Sequence, residues 1–240
     1  MAFIEKELHL TIRDIDKKTN LTNKAILSFF EDIGGYHSDL AGYGLKQIEQ
    51  TRISWVLLHW KFKVLKRIKY SDGNIRIKTW SRGCVRACTI RDFEIYDSAG
   101  NLCVIGTSKW TLIHLENGLM RLTDELLNNY QAEPDIAIDF DFKKIQEPEN
   151  YSNIYKYTVS RRDLDINGHM HNLNYLDLAY EALPKDVYEN NSFDDVEIMY
   201  KKGAFLGDKL KCLYSNIDNE HIVTIKSEDN ENLHAIIKLK

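Results

Sequence analysis

Residues 161–184 read RRDLDINGHMHNLNYLDLAYEALP, and this stretch predicts a polar turn that leads into a buried helix. Asn172 is placed to cap the helix, because its side-chain oxygen can accept hydrogen bonds from the N–H groups of the first turn, and Pro184 cannot continue it. Between them, leucine, alanine and tyrosine side chains cover most of the circumference. A helix that is apolar nearly all round is enclosed by other structure. The polar turn should therefore lie at the mouth of a core element.

The turn contains residue types that can carry chemistry. His169, beside Asp163 and Asp165, suits a general base near neutral pH, with the carboxylates orienting its ring and supporting its charged form. The amide of Asn167 can hold a water molecule or donate to a developing oxyanion. The same residues suit a simple capping turn equally well, since capping is the commonest reason for Asp and Asn before a helix.

The turn occurs twice in the chain. A shift of 149 positions lays residues 13–16 (RDID) on residues 162–165 (RDLD) without a gap. Because this match falls between a predicted strand and a predicted helix in both halves, it indicates an internal duplication. The copies differ where chemistry is expected, since Asn20 stands opposite His169. We therefore expect one active centre per chain, in the second half.

The remaining sequence predicts a helix followed by antiparallel strands in each half. The predicted helices are 22–37, 122–130 and the one in 161–184, and the predicted strands are 3–12, 52–70, 75–80, 84–96, 102–114, 151–160, 195–201, 209–216, 220–227 and 233–240. Residues 129–150 are weakly patterned and contain two of the three prolines. The predicted organisation is a first unit at 1–128, a linker at 129–150 and a second unit at 151–240.

Composition excludes several classes of function. The chain has 240 residues, a net charge of −4 and a pI near 6.1, which gives no support for nucleic acid or an anionic membrane as a partner. The N-terminus lacks the pattern of a secretory leader, and no apolar run reaches membrane-spanning length, so we expect a cytoplasmic location.

The sequence also lacks the signatures of cofactor and covalent chemistry. No phosphate-binding loop, dinucleotide fingerprint or Gly-x-Ser-x-Gly elbow is present. The four cysteines have no paired spacing and are expected to be buried free thiols. We therefore expect neither a cofactor nor a metal.

At the polar turn the sequence resembles a known family. DINGHMHN at 165–172, continuing to Tyr175 and to ALP at 182–184, resembles the Asp-x-Asn-x-His-Val-Asn-Asn-x-x-Tyr signature of the acyl-acyl carrier protein thioesterases. In the first half, the segments WVL at 55–57, IKTW at 77–80 and RDF at 91–93 resemble the same family's pattern. The resemblance extends over most of the chain.

This resemblance implies an α+β fold of two tandem hotdog units, each an antiparallel β-sheet wrapped around a long central helix, with the acyl pocket mainly in the first unit. It implies that Asp165, Asn167 and His169 form the catalytic group of the second unit. The family also places a glutamate and a cysteine on a following strand. Aligned there, Gly203 replaces the glutamate and Ala204 the cysteine, which excludes a thiol nucleophile at that site.

The implied activity is hydrolysis of an acyl-acyl carrier protein thioester, with the carrier protein as partner, to release free fatty acid. Two alternatives stay open: an acyl-coenzyme A thioesterase that uses the same site, and a non-catalytic acyl-binding hotdog protein, which the loss of the glutamate favours. Acyl chain length and the choice between monomer and homodimer are not determined by the pattern.

Overall fold

The computed structural model describes residues 2–85 and 87–240 and divides the chain into two compact units, Met1–Phe142 and Lys143–Lys240. In each unit a helix packs against an antiparallel sheet. The boundaries expected from the sequence, at 1–128, 129–150 and 151–240, stay a prediction. Two residues covered by the predictions, Met1 of the first unit and Arg86 of the strand at 84–96, lie outside the described residues.

The first unit is built on the helix α1. In chain order its elements are β1 (Phe3–Leu8), α1 (Asn23–Leu40), α2 (Ile48–Thr51), β2 (Ile53–Val64), β3 (Ile75–Val85), β4 (Cys88–Tyr96), β5 (Leu102–His114), β6 (Gly118–Leu119) and α3 (Asp124–Tyr130). Five strands follow one another across the sheet in the order β1-β3-β4-β5-β2, and β6 pairs with β5. The sheet is antiparallel throughout.

α1 begins after Thr22, whose Oγ1 accepts a hydrogen bond from the N–H of Ala25 at 3.1 Å. Its apolar face carries Phe30, which stacks on Phe93 of β4 with ring centroids 4.5 Å apart. The ring centroid of Trp60 of β2 lies 5.9 Å from that of Phe30, and all three side chains are fully buried. Since burying one such ring is worth about 1.5–3 kcal/mol, this aromatic cluster anchors the helix on the sheet.

The second unit repeats this order. Its elements are β7 (Asn153–Thr158), α4 (Asn174–Ala182), α5 (Lys185–Asn190), β8 (Asp195–Tyr200), β9 (Lys209–Ile217), β10 (Glu220–Ser227) and β11 (Leu233–Leu239). The strand order β7-β9-β10-β11-β8 is that of the first unit, strand for strand. The internal duplication read from the sequence is therefore confirmed.

Helix lengths differ from the sequence predictions. α1 continues through Gly34 and Gly35 to Leu40, three residues beyond the predicted end. α4 is half as long as α1, begins after Leu173 rather than after Asn172, and ends at Ala182. The prediction of Asn172 as the cap was wrong, because the chain still makes tight turns at that residue. Pro184, predicted only to end the helix, is also the N-cap of α5.

One predicted strand is a hairpin. The segment 84–96 was expected to be a single strand, but β3 continues to Val85 and β4 starts at Cys88. Cys84 is therefore exposed and Cys88 half-buried, which corrects the expectation of buried thiols, whereas Cys103 and Cys212 are buried as predicted.

The segment between α3 and β7 connects the strands of the first unit to those of the second. Residues 131–151, all of them described, form neither helix nor strand. The N–H of Ala137 donates to Asp92 at 2.8 Å, so the early part is bound to the first unit. Ile145 packs on Met199 in the core of the second unit. Within the ranges 2–85 and 87–240, no helix is both long and apolar enough to cross a lipid bilayer.

Candidate active site

The polar turn before α4 is a loop closed by hydrogen bonds to Asp165. Its Oδ1 accepts from the backbone N–H groups of Asn167 at 2.8 Å and of His169 at 3.0 Å. The N–H of Asp165 donates to the carbonyl of His169 at 2.7 Å. Gly168 has a φ of 75°, a conformation that residues with side chains rarely adopt. The loop thereby holds Asn167 and His169 in defined positions at the start of the helical segment.

The first unit contains the same loop, built by Asp16. Oδ1 of Asp16 accepts from the N–H of Lys18 at 2.7 Å and of Asn20 at 2.9 Å, and its own N–H donates to the carbonyl of Asn20 at 2.9 Å. Thr19, opposite Gly168, also has a positive φ, 61°. Because the first unit builds this loop without an imidazole, the aspartate is required by the turn itself.

Asp163 is likewise engaged in shaping the turn. Its Oδ2 accepts from the N–H of Ser160 at 2.7 Å, from the hydroxyl of Ser160 at 2.8 Å and from the hydroxyl of Tyr157 at 2.9 Å. Burial disfavours the charged form, but these hydrogen bonds outweigh it and lower the pKa of Asp163 below its usual value. In the first unit Asp14 binds Thr11 in the same manner, at 2.7 and 2.8 Å.

The ring of His169 is half-buried and packs on Phe205, with centroids 4.6 Å apart and planes inclined by 46°. Within the described part of the chain, neither ring nitrogen has a hydrogen-bond partner. The carboxylates of Asp163 and Asp165, expected to orient the ring, are bonded to backbone and hydroxyl groups instead. Asp165 therefore positions His169 through the main chain, and both ring nitrogens remain available to a substrate or a water molecule.

Asn167 presents its side chain to solvent. Among the described residues its amide has no hydrogen-bond partner, so both the donor and the acceptor of this group are free. The side chain of His171 helps to build the turn, because its Nδ1 accepts from the N–H of Leu173 at 3.3 Å. Asn167 and His169 are thus polar side chains of the turn that take no part in its hydrogen bonds.

The segment after β8 faces this turn. The carbonyl of Ala204 accepts from the N–H of Met170 at 2.8 Å, and the N–H of Ala204 donates to the hydroxyl of Tyr175 at 3.1 Å. Burial raises the pKa of Tyr175 to about 12, so this hydroxyl stays neutral. A β-carbon on Gly203 would lie 2.7 Å from Cδ2 of His169. The turn, α4 and the segment after β8 therefore fix one another around the imidazole.

Phe205 is the contact that sequence reasoning missed. It forms an isolated β-bridge with His169, and in the first unit Asn20 forms the same kind of bridge with Lys69. The two bridged residues are far apart in sequence, and no periodic pattern connects them. The folded structure shows the pair directly.

Comparisons with known families agree with the motif. Residues 2–130 match the acyl-ACP thioesterase N-terminal domain and residues 146–239 match the acyl-ACP thioesterase C-terminal domain. An oleoyl-acyl carrier protein thioesterase of Coriandrum sativum, described as chloroplastic, is 24% identical over 224 residues, covering 85% of this chain and 60% of the relative. This chain thus spans about 60% of the length of this relative and of two oleoyl-acyl carrier protein thioesterases of Arabidopsis thaliana.

Solved structures show the same fold over nearly the whole chain. The 12:0-ACP thioesterase of Umbellularia californica superimposes with a TM-score of 0.87 at 16% identity, covering 99% of this chain and 96% of that one. An acyl-ACP thioesterase of Bacteroides thetaiotaomicron gives 0.80 at 19% identity, with the same coverage. The predicted α+β fold of two tandem hotdog units is thereby confirmed. With both of its domain families matched in order along the sequence, the chain belongs to the acyl-ACP thioesterase family.

Proposed function

We propose that this chain hydrolyses the thioester bond between a fatty acyl group and acyl carrier protein and releases the free fatty acid. Membership of the family supports the reaction class and the carrier. The carrier protein is then the partner. A cytoplasmic location and a monomeric or homodimeric state stay predictions from the sequence.

The observation that carries this proposal is the contrast between two turns that have the same backbone hydrogen bonds. In both units an aspartate closes the loop with the same backbone hydrogen bonds, yet only the second unit places an imidazole with two free nitrogens beside a free amide. A structural turn needs neither of these groups, as the first unit demonstrates. We therefore assign a chemical role to Asn167 and His169, because the turn can fold without either side chain.

In the proposed mechanism His169 takes a proton from a water molecule while the water oxygen attacks the thioester carbonyl. The amide of Asn167 donates to the carbonyl oxygen as it gains negative charge, or holds the attacking water. The tetrahedral intermediate then expels the thiolate, which receives the proton from the imidazolium. Asp165 contributes as a positioning residue, because it holds the main chain of both partners. The products are a fatty acid and the free thiol of the carrier.

One observation favours a second candidate, a non-catalytic acyl-binding protein. The resemblance places a glutamate where this chain has Gly203, and no carboxylate is bonded to the ring of His169 among the described residues. Hydrolysis of acyl-coenzyme A is the remaining alternative, and it uses the same chemistry with another carrier.

Thiol release, measured side by side on acyl carrier protein and coenzyme A thioesters of the same fatty acid, separates the three. We expect faster turnover on the carrier protein thioester. His169→Ala should lower turnover roughly 10² to 10⁴-fold, the range for loss of a general base. Asn167→Ala should lower it roughly 10² to 10³-fold, the range for loss of an oxyanion donor.

The first unit supplies matched controls. Lys18→Ala and Asn20→Ala alter the positions opposite Asn167 and His169, and both should leave turnover within a few fold, since neither side chain belongs to the proposed catalytic group. A loss in Asn20→Ala as large as that in His169→Ala would refute the single active centre. Absence of thiol release from either substrate at high protein concentration would leave only the acyl-binding candidate.

A further inference from the structure

A groove in the second unit adjoins the imidazole of the active site. It has a volume of about 680 Å³ and runs between the segment after β8 and the turn that joins β10 to β11. Gly203 and Phe205 form part of its wall, and these are the two residues against which the ring of His169 lies. A substrate whose reacting bond is at His169 can therefore continue directly into the groove.

His234 of β11 lines this groove and is only 3% exposed. Its Nδ1 lies 2.9 Å from the carbonyl oxygen of Lys202. A carbonyl oxygen can only accept, so Nδ1 carries the proton, and Nε2 of the neutral ring is an acceptor. Among the described residues Nε2 has no partner, and it is not sealed from solvent. The groove thus contains one nearly buried acceptor that the protein leaves open.

The other polar groups of the groove are already paired. Nζ of Lys202 donates to Asn232 at 2.9 Å, Lys209 lies 3.8 Å from Glu228, and Asp208 accepts from the N–H of Phe205 at 2.8 Å. The half-exposed ring of Phe205 adds a flat apolar surface. The open position in the groove therefore suits an extended chain that has methylene groups and one N–H donor directed at His234.

We propose that the groove holds the pantetheine arm that joins the thioester to its carrier, with Nε2 of His234 accepting a hydrogen bond from an amide N–H of the arm. This inference rests on the proposed function, because it takes the thioester to react at His169. The arm is an extended chain of methylene and amide groups, which is the chemistry that the groove leaves unfilled. Since acyl carrier protein and coenzyme A share this arm, His234 contributes equally to the recognition of both.

The test compares two thioesters of one short fatty acid, one with pantetheine and one with butanethiol, which has no amide. His234→Phe keeps a ring but removes the acceptor. We expect it to raise KM for the pantetheine thioester roughly tenfold, the effect of one lost hydrogen bond, with kcat within about twofold. The butanethiol thioester should be unaffected. An equal loss on both substrates, or no loss on either, would overturn the proposal.

Two further variants exclude a merely structural effect. His234→Gln places an amide oxygen near the position of Nε2 and should recover part of the KM. His221→Phe changes a histidine of the neighbouring strand β10, whose Nδ1 is 2.8 Å from the hydroxyl of Tyr214, and should leave the ratio between the two substrates unchanged. Two outcomes would count against a specific contact. One is that His234→Gln has a KM for the pantetheine thioester as high as that of His234→Phe. The other is that His221→Phe changes the ratio between the two substrates as much as His234→Phe does.

A binding measurement separates this proposal from the proposed function. S-Butyl pantetheine has a thioether in place of the thioester and cannot be hydrolysed, so its affinity by titration calorimetry does not depend on turnover. Weaker binding to His234→Phe than to the unchanged chain supports the groove even if no thioester is cleaved. If the unchanged chain cleaves the pantetheine thioester but His234→Phe binds the thioether as tightly as the unchanged chain does, the proposed pantetheine groove is refuted and the proposed function is not.

Discussion

The ring of His169 occupies the space that Gly203 leaves by having no side chain: a β-carbon at residue 203 would lie 2.7 Å from Cδ2 of the ring. Heavy atoms that are not bonded do not approach so closely, so one of the two must move. The family resemblance implies a glutamate at this position. In this chain, a side chain at residue 203 would clash with the imidazole of His169 in its observed position.

Gly203→Ala should therefore displace the ring of His169 and lower kcat/KM roughly 10²-fold, the cost of misplacing a catalytic group by about 1 Å. Gly203→Glu should lower it at least as much, since it adds the same β-carbon and a negative charge. Thiol release measures both effects. Gly35→Ala, where a β-carbon meets nothing within 4 Å, is the matched control and should keep full activity. Higher turnover in Gly203→Glu would show that the ring can move to a competent position.

Asp165→Asn tests whether the carboxylate acts by its charge or by its hydrogen bonds. The amide oxygen of asparagine can still accept from the two N–H groups that Oδ1 binds, so turnover should stay within about tenfold if the role is to hold the loop. Asp165→Ala removes the acceptor, and we expect a stability loss of about 1–3 kcal/mol together with a large loss of turnover.

Asp16→Ala provides the control for this pair, because it removes the same two hydrogen bonds from the first unit. Its unfolding free energy should fall by a similar amount, about 1–3 kcal/mol, without a comparable loss of thiol release at a temperature where the protein is folded. A drop of turnover in Asp165→Asn as deep as in Asp165→Ala would assign a chemical role to the charge.

The lowered pKa of Asp163 predicts a dependence of stability on pH. The ionised carboxylate is favoured in the folded state, so its contribution is present above the pKa of the unfolded chain, about 4, and is lost as pH falls through the lower folded value. Asp163→Asn should be about 1–3 kcal/mol less stable at pH 7, and the difference should narrow below about pH 4. Urea unfolding at both pH values measures this. Asp135→Asn, an exposed carboxylate, should show no such narrowing.

Docking of the acidic carrier protein should depend on salt, since this chain has a net charge of −4 and must use a local basic patch. Raising ionic strength from about 0.05 to 0.5 M should increase KM for the protein-bound substrate several-fold and leave KM for a small thioester nearly unchanged. Five basic residues lie between 61 and 69 in the sequence, but part of this run is already engaged, because Lys61 is buried and Lys66 binds Asp97 at 2.8 Å. An equal salt dependence of KM for the two substrates would contradict docking through a basic patch.

Local patterning was sufficient for much of the fold. The sequence patterns of β5 and β10 predicted both strands with their observed ends, and the repeated RD-x-D segment revealed the duplication that the strand order then confirmed. These features depend on neighbouring residues and on the periodicity of apolar positions, and both can be read directly from the sequence. Helix ends were less predictable. Asparagine is a common capping residue, but whether Asn172 caps the helix depends on the backbone conformation of the loop before it.

The nearest environment of His169 was decided by the tertiary structure alone. The sequence placed two carboxylates beside this residue, and only the folded loop directs them to backbone N–H groups and away from the ring. Gly203 and Phe205 reach the imidazole from the segment after β8, more than thirty positions along the chain. The direction of a side chain follows from backbone torsions and from packing against distant segments, so residue types and spacing identify the members of a site but not the contacts among them.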